Sequence, residues 1–281
     1  MKLKKIVIIG TGLIGGSIGK AVLSKKMADE VIGISRRRSS LRRALREKCI
    51  TSGYINNYAK ACRGADVIFI ATPVNTIKDV IVKLSKTLKD KNVIVTDAGS
   101  TKKEIVDRAD KYKNRFSFVG AHPLAGLEKT GVEYSRPDLF KNSVCVLTRS
   151  VTTDRKKLQE VKKLWEAFGA TTRVVTPDIH DKILSLTSHL PHVVAFALAG
   201  VLEKKYCDYV AGGFKDTTRI AASDPILWSD IFISNRKNLK TALGKFRKNI
   251  ADIERSLASK QAARLIKKLK ECKRKRDNVV F

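Results

Sequence analysis

Residues 5–26 read KIVIIGTGLIGGSIGKAVLSKK: an apolar run, a turn with glycines at 10, 12 and 15, and a segment with helical spacing, joined without a spacer. A strand buried on both faces of a parallel sheet reads as such an unbroken run, and a G-x-G-x-x-G turn gains meaning only between a strand and a helix. Gly10 and Gly12 permit the tight turn and close approach to a pyrophosphate, and Gly15 permits close helix–strand packing. The helix that follows, with Leu13 and Ile14 in its first turn, points its N-terminal N–H groups at the anion. A second apolar run, EVIGIS (30–35), completes a β-α-β unit.

Outward from this unit the alternation continues through ADVIFIATP (65–73), a helix over 77–88, NVIVTDAGS (92–100) and a helix over 101–112. FSFVGAHP (116–123), SVCVLTR (143–149), a helix over 154–168 and TTRVV (171–175) follow. Strands separated by helices predict parallel pairing. After Pro177 the pattern becomes helical to the end; residues 188–204 are apolar nearly all round and 227–257 repeat apolar positions every three to four residues. The expected architecture is α/β: an N-terminal Rossmann-type doubly wound sheet over 1–176, then an all-helical domain over 177–281 that binds substrate and dimerises. A helix apolar on every side needs more cover than a small bundle offers, and homodimerisation would supply it; a monomeric bundle is the alternative.

The 281 residues, 43% hydrophobic, suffice for two domains of ordinary size. No stretch approaches the roughly 20 consecutive apolar residues of a membrane span, and the N-terminal apolar run is interrupted by glycines, unlike a signal peptide. Five scattered cysteines without a C-x-x-C pair argue against a disulfide framework or a metal site and for a reducing cytoplasm. The net charge of +30 favours anionic small molecules, but basic residues are spread along the chain without interleaved aromatics, so no specific nucleic acid partner is expected.

At the end of the second strand, where NAD-binding chains carry an acid for the ribose hydroxyls, stand Ser35, Arg36, Arg37 and Arg38. A serine and an arginine suit a ribose 2′-phosphate that an acid would repel, so NADP is preferred over NAD. The alternative is that the arginines open the next helix and face water. Thr72 and Pro73, ending the strand ADVIFIATP, are expected under the nicotinamide ribose, with a proline that simply ends the strand as the alternative.

Three further segments carry a resemblance: DAGSTK (97–102), GAHPLAGLEKTGVEYS (120–135), and SHLPHVVAFAL (188–198) with GGFKDTTRIAASDPILWSDI (212–231). With the glycine turn, and in the same order from about residue 4 to residue 235, they resemble the prephenate/arogenate dehydrogenases of tyrosine biosynthesis. The resemblance implies oxidative decarboxylation of a cyclohexadienol acid, with hydride transfer to NAD(P). It implies His122 as the base for the substrate hydroxyl, Ser100 as hydrogen-bond partner of that histidine and hydroxyl, and Arg219 as partner of a substrate carboxylate. It also places His192, Glu128 and Trp228 at the substrate pocket, with His189 a structural neighbour. By residue type alone His122, with an ordinary pKa near 6.5, suits a base at neutral pH, Arg219 offers a planar fork to a carboxylate, and Ser100 would equally cap the next helix. His189 and His192 are three apart, but Pro191 between them and the lack of a carboxylate partner argue against a metal. Other dehydrogenases with a helical second domain, of β-hydroxyacid or imino-acid type, share the glycine turn but leave HPLAG (122–126) and DTTRIAASDP (216–225) without a task. The basic segment LIKKLKECKRKR (265–276) closes the chain soon after the last motif, and no appended regulatory domain is expected.

Overall fold

The computed structural model describes residues 2–126, 129–258 and 262–279. Among them the strands are β1 (Leu3–Ile9), β2 (Ala28–Ser35), β3 (Ser52–Ile55), β4 (Val67–Ile70), β5 (Ile94–Asp97), β6 (Ser117–Pro123), β7 (Val144–Thr148) and β8 (Thr171–Val175). They form one sheet in the order 3-2-1-4-5-6-7-8. The order reverses between β1 and β4, and such a switch point opens a crevice beyond the strand C-termini. Gly10 after β1 and Ala71–Pro73 after β4 lie on either side of it.

Parallel pairing holds from β3 through β6, whereas β6 and β7 are antiparallel and β8 runs parallel to β7. The uniform parallel expectation fails there because the described residues between 124 and 143 hold no α-helix, only a short 3-10 turn at Val132–Tyr134, and the chain re-enters the sheet in the opposite sense.

The helices are α1 (Leu13–Ser24), α2 (Arg38–Arg46), α3 (Tyr58–Cys62), α4 (Val74–Thr87), α5 (Lys103–Asp110), α6 (Arg155–Ala167), α7 (Pro177–Leu184), α8 (Leu190–Gly200), α9 (Gly212–Thr218), α10 (Pro225–Ser234), α11 (Arg236–Ala258) and α12 (Ala262–Asp277). Apolar residues of α1, α2 and α6 cover one face of the sheet, where Trp165 meets Phe140 edge to face at 5.1 Å and Phe69 at 6.0 Å. Those of α3, α4 and α5 cover the other face. Asp154 caps α6 and Thr176 caps α7 through their side-chain oxygens, satisfying N–H groups that the first helical turn leaves open.

Beyond β8 the regular structure of the described residues is wholly helical. The chain makes two compact units, Met1–Asn235 and Arg236–Phe281, the first including α7 against α5 and α10 against α4. Between α7 and α8 the helix widens into a π turn at Ser185–His189. Pro191 lacks an N–H to close onto the carbonyl four residues back, and its ring crowds that carbonyl, which a wider turn relieves. By length and composition alone Pro177–Gly200 matches a membrane span, but its first turns carry His180 and Asp181, both buried against the sheet domain. Only Ala195 of α8 is buried, and Val201 just beyond is 74% exposed.

Candidate active site

The glycine turn behaves as its spacing predicts. Gly10 has φ +95°, open to glycine at little cost. A Cβ on Gly15 would sit 1.9 Å from the Gly10 carbonyl oxygen, so only glycine lets α1 pack this close to the turn. A Cβ on Gly12 would meet nothing within 4 Å, which leaves the approach to the N-terminus of α1 open. Leu13 and Ile14 form the first turn of α1 and pack partly on the core.

Beside this turn lies a cavity of about 340 Å³ walled by Gly10, Gly12, Ser35, Arg36, Tyr58, Thr72, Pro73 and Lys83. Of the three arginines, Arg36 lines it, Arg37 is the N-cap residue of α2 and Arg38 begins that helix. Ser35 accepts a weak hydrogen bond from the Arg37 N–H at 3.4 Å. The Thr72 hydroxyl oxygen is buried and, among the described residues, has no hydrogen-bond partner. A crevice at the switch point, a helix N-terminus and an orphaned hydroxyl together fit a dinucleotide. Tyr58 and Lys83, which the sequence did not flag, stand together here, with the Lys83 ammonium 5.7 Å from the Tyr58 ring centre.

A second cavity, of about 510 Å³, is lined by Ser100, His122, His189, His192, Leu227 and Trp228 among others. Three of the chain's four histidines line it, and the fourth, His180, is buried against His122. His122, near the end of β6 and 9% exposed, places Nδ1 2.9 Å from Nε2 of His180 on α7. His180, fully buried, places Nδ1 2.8 Å from Oδ1 of Asp181. Asp181 in turn accepts the backbone N–H groups of Lys102 at 2.7 Å and Lys103 at 3.0 Å, where α5 starts. The Asn235 amide donates to the Asp181 carbonyl oxygen at 2.7 Å and reaches Nδ1 of His189 at 3.1 Å. His192 stacks on Trp228 with ring centres 3.4 Å apart, and its Nδ1 donates to the Ser188 carbonyl at 2.9 Å.

Behind His122 the Lys102 ammonium is ion-paired with Asp97, both side chains fully buried. Burial, then the neighbouring His180, Lys102 and His189, hold the His122 pKa well below its ordinary value. His122 is therefore neutral at neutral pH, as a base must be, but its titration lies lower than its residue type alone implies. Burial lowers His180 as well, partly opposed by Asp181. For Asp181 burial pushes upward, yet the hydrogen bond and charge of His180 and the two backbone N–H groups outweigh it, and the carboxyl lies below its usual range.

Ser100 lines the same cavity as His122, but among the described residues its hydroxyl makes no hydrogen bond to that histidine. Its helix-capping alternative does not hold either: α5 begins at Lys103 and its cap residue is Lys102. Arg219 opens a 3-10 turn beside the cavity, close enough to His192 that its charge lowers that histidine, after burial. Glu128 lies outside the described residues. The sequence reading did not pick out His180, Asp181, Lys102 or Asn235. A signal was available for two of them: His180 is one of only four histidines and is followed directly by an acid.

Sheet, glycine turn and histidine-lined cavity together define an NAD(P)-dependent dehydrogenase with a helical second domain. Residues 18–174 match the family model described as prephenate dehydrogenase, nucleotide-binding domain, and residues 176–271 match prephenate dehydrogenase, dimerization domain. The chain belongs to the prephenate dehydrogenase family. It is 32% identical to the prephenate dehydrogenase of Bacillus subtilis, covering 98% of this chain and 76% of that one. It is 31% identical to the cyclohexadienyl dehydrogenase of Zymomonas mobilis, covering 97% and 95%. A crystal structure of the prephenate dehydrogenase of Aquifex aeolicus, in complex with hydroxyphenyl propionate and NAD+, superposes with a TM-score of 0.91 at 34% identity over 100% of this chain and 99% of that one.

Proposed function

We propose that this chain oxidises and decarboxylates prephenate or arogenate in the cytoplasm, giving 4-hydroxyphenylpyruvate or tyrosine, carbon dioxide and a reduced nicotinamide cofactor. The observation that carries it is His122, a buried neutral imidazole bordering a cavity that Trp228 and His192 also line, within the fold of a family named for this reaction. A nicotinamide cofactor, when bound, would supply the acceptor for the hydride on the ring carbon that bears the hydroxyl. Gly10, Gly12, Ser35, Arg36, Thr72 and Pro73 hold the dinucleotide. His122 takes the hydroxyl proton as the carbon is oxidised. When the ring carboxylate leaves as carbon dioxide, the electron pair of the broken C–C bond flows through the ring to that oxygen, and the proton returns to it from His122. Arg219 holds a substrate carboxylate, His192 and Trp228 pack beside the ring, and Ser100 supports the hydroxyl.

Arg36 and Lys83 in the cavity lining, with no acid at the end of β2, support NADP over NAD, although Asp79, which also lines it, offsets part of that charge. Residues 1–176 serve as the dinucleotide-binding part and 177–281 as the substrate-binding and dimerising part. An apolar α8 whose large side chains are only half-buried, in a segment that matches a dimerization-domain model, supports a homodimer. The β-hydroxyacid and imino-acid alternatives leave this cluster of histidines unexplained.

The test is steady-state kinetics of wild type and His122→Asn with prephenate and arogenate, each with NADP and NAD, followed by nicotinamide absorbance. Wild type should turn over at least one of the two acids with the higher kcat/KM on NADP. His122→Asn should lose roughly 10²–10⁴-fold in kcat, the usual contribution of a general base. No turnover of either acid by folded wild type would overturn the reading.

A further inference from the structure

The hydrogen-bond chain behind His122 has one self-consistent proton arrangement. Asp181 is ionised and can only accept, so His180 donates to it from Nδ1. A neutral His180 then has only a lone pair at Nε2, so the bond to His122 requires His122 to donate from Nδ1. That leaves Nε2 of His122 as the nitrogen with a lone pair, on a residue that borders the cavity. We infer that His180 and Asp181 are positioning residues that lock His122 in the tautomer whose Nε2 lone pair is available to the substrate hydroxyl, and that share the charge when that nitrogen takes a proton. The inference rests on His122 being the base.

The surroundings of the pair fit this role from each side. Asp181 is pinned by the N–H groups of Lys102 and Lys103 and, through its backbone carbonyl, by Asn235, so its carboxylate cannot turn away. Among the described residues, the Lys102–Asp97 pair from the end of β5 and the turn after it, His189 from the π turn and Cys145 from β7 complete the titratable groups around His122. Lys102 and His189 oppose a positive charge on His122, and burial pushes the Cys145 thiol up so that it stays uncharged. Among the described residues, Asp181 is thus the anion within reach of the relay whose charge is not already matched by a cation, since Asp97 is neutralised by Lys102. An imidazolium formed at His122 is, among the described residues, compensated through His180. An orienting acid behind a catalytic histidine is worth up to about 10⁴-fold in rate where it sets the tautomer.

The experiment uses the full chain labelled with ¹⁵N-histidine, whose four histidines keep the imidazole spectrum resolvable. Wild type near neutral pH should show His122 protonated at Nδ1 and bare at Nε2. His180→Ala should populate both tautomers of His122 and lower kcat by roughly 10²-fold or more, with substrate and cofactor KM nearly unchanged. His180→Gln, which places an amide oxygen near the former Nε2, should restore the tautomer and recover at least part of kcat. A wild-type spectrum with His122 protonated at Nε2 overturns the inference by itself, whatever the variants do. So does His180→Ala with wild-type tautomer and kcat while His122→Asn is inactive. Were His122→Asn to keep normal kcat, the reading of the base would fail instead.

Discussion

Acid should destabilise this protein through His189, and the size of the effect follows from its surroundings. Burial, with His180 and His192 nearby and only partly opposed by Asp181, lowers its pKa from 6.5 to about 4. In the unfolded chain the same histidine titrates near 6.5. Between those values the unfolded state binds the extra proton, so the contribution to stability is whole above pH 6.5 and is lost as pH falls toward 4. One pKa unit is about 1.4 kcal/mol, so the full loss is about 3 kcal/mol, of which about 2 kcal/mol is gone by pH 5. His189→Gln keeps an acceptor for the Asn235 amide but removes the titration. Urea unfolding followed by circular dichroism at pH 8 and pH 5, at equal ionic strength, should show the wild type losing about 2 kcal/mol more than the variant. His122, His180 and the carboxylates are common to both proteins and cancel in the difference. Equal losses in the two proteins would refute the reasoning.

Arg219→Ala should raise substrate KM roughly ten- to a hundred-fold, the equivalent of one charge-assisted hydrogen bond, with cofactor KM unchanged; an unaltered substrate KM in folded protein rules out its carboxylate role. Lys102→Met strands the fully buried Asp97 and should cost about 3–5 kcal/mol in urea unfolding; a loss under about 1 kcal/mol would mean that Asp97 is adequately held by the N–H groups of Gly99 and Ala121. Gly15→Ala should lower the melting temperature, because its Cβ would overlap the Gly10 carbonyl, whereas Gly12→Ala should fold normally and weaken dinucleotide binding measured by calorimetry. Equal melting temperatures for those two variants would contradict the packing argument.

What the sequence made legible was whatever repeats or recurs in a motif. The apolar runs of β1 and β4, the glycine turn and the amphipathic α4 and α6 declared themselves through period and position. β3 did not, since SGYI is four residues with no apolar run, and it exists because its backbone pairs with β2 at the sheet edge. The reversal at β7 was equally silent: strand direction is decided by what joins two strands, and residues 124–143 give no periodic signal. In the site, His122, Ser100, His192 and Trp228 do border one cavity. His180 and Asp181 escaped notice because their partner, His122, stands 58 residues before His180 in the chain. Sequence spacing reports neighbours on one helix, whereas this contact is made by α7 docking on the sheet.

The π turn at Ser185–His189 carries a consequence for insertions and deletions. A π turn holds one residue more than the α-helical turn it replaces, and each helical residue rotates the direction of its side chain by about 100°. The widened turn therefore sets the rotational phase between His180 before it and His192 after it. Exchanging the identities of Leu186 or Thr187, whose side chains are partly exposed, leaves that phase alone. Removing one of these residues would let the helix close in regular register while swinging everything downstream, His192 included, to another face. At this point of the chain it is the number of residues, more than their kind, that keeps two histidines pointed at one cavity.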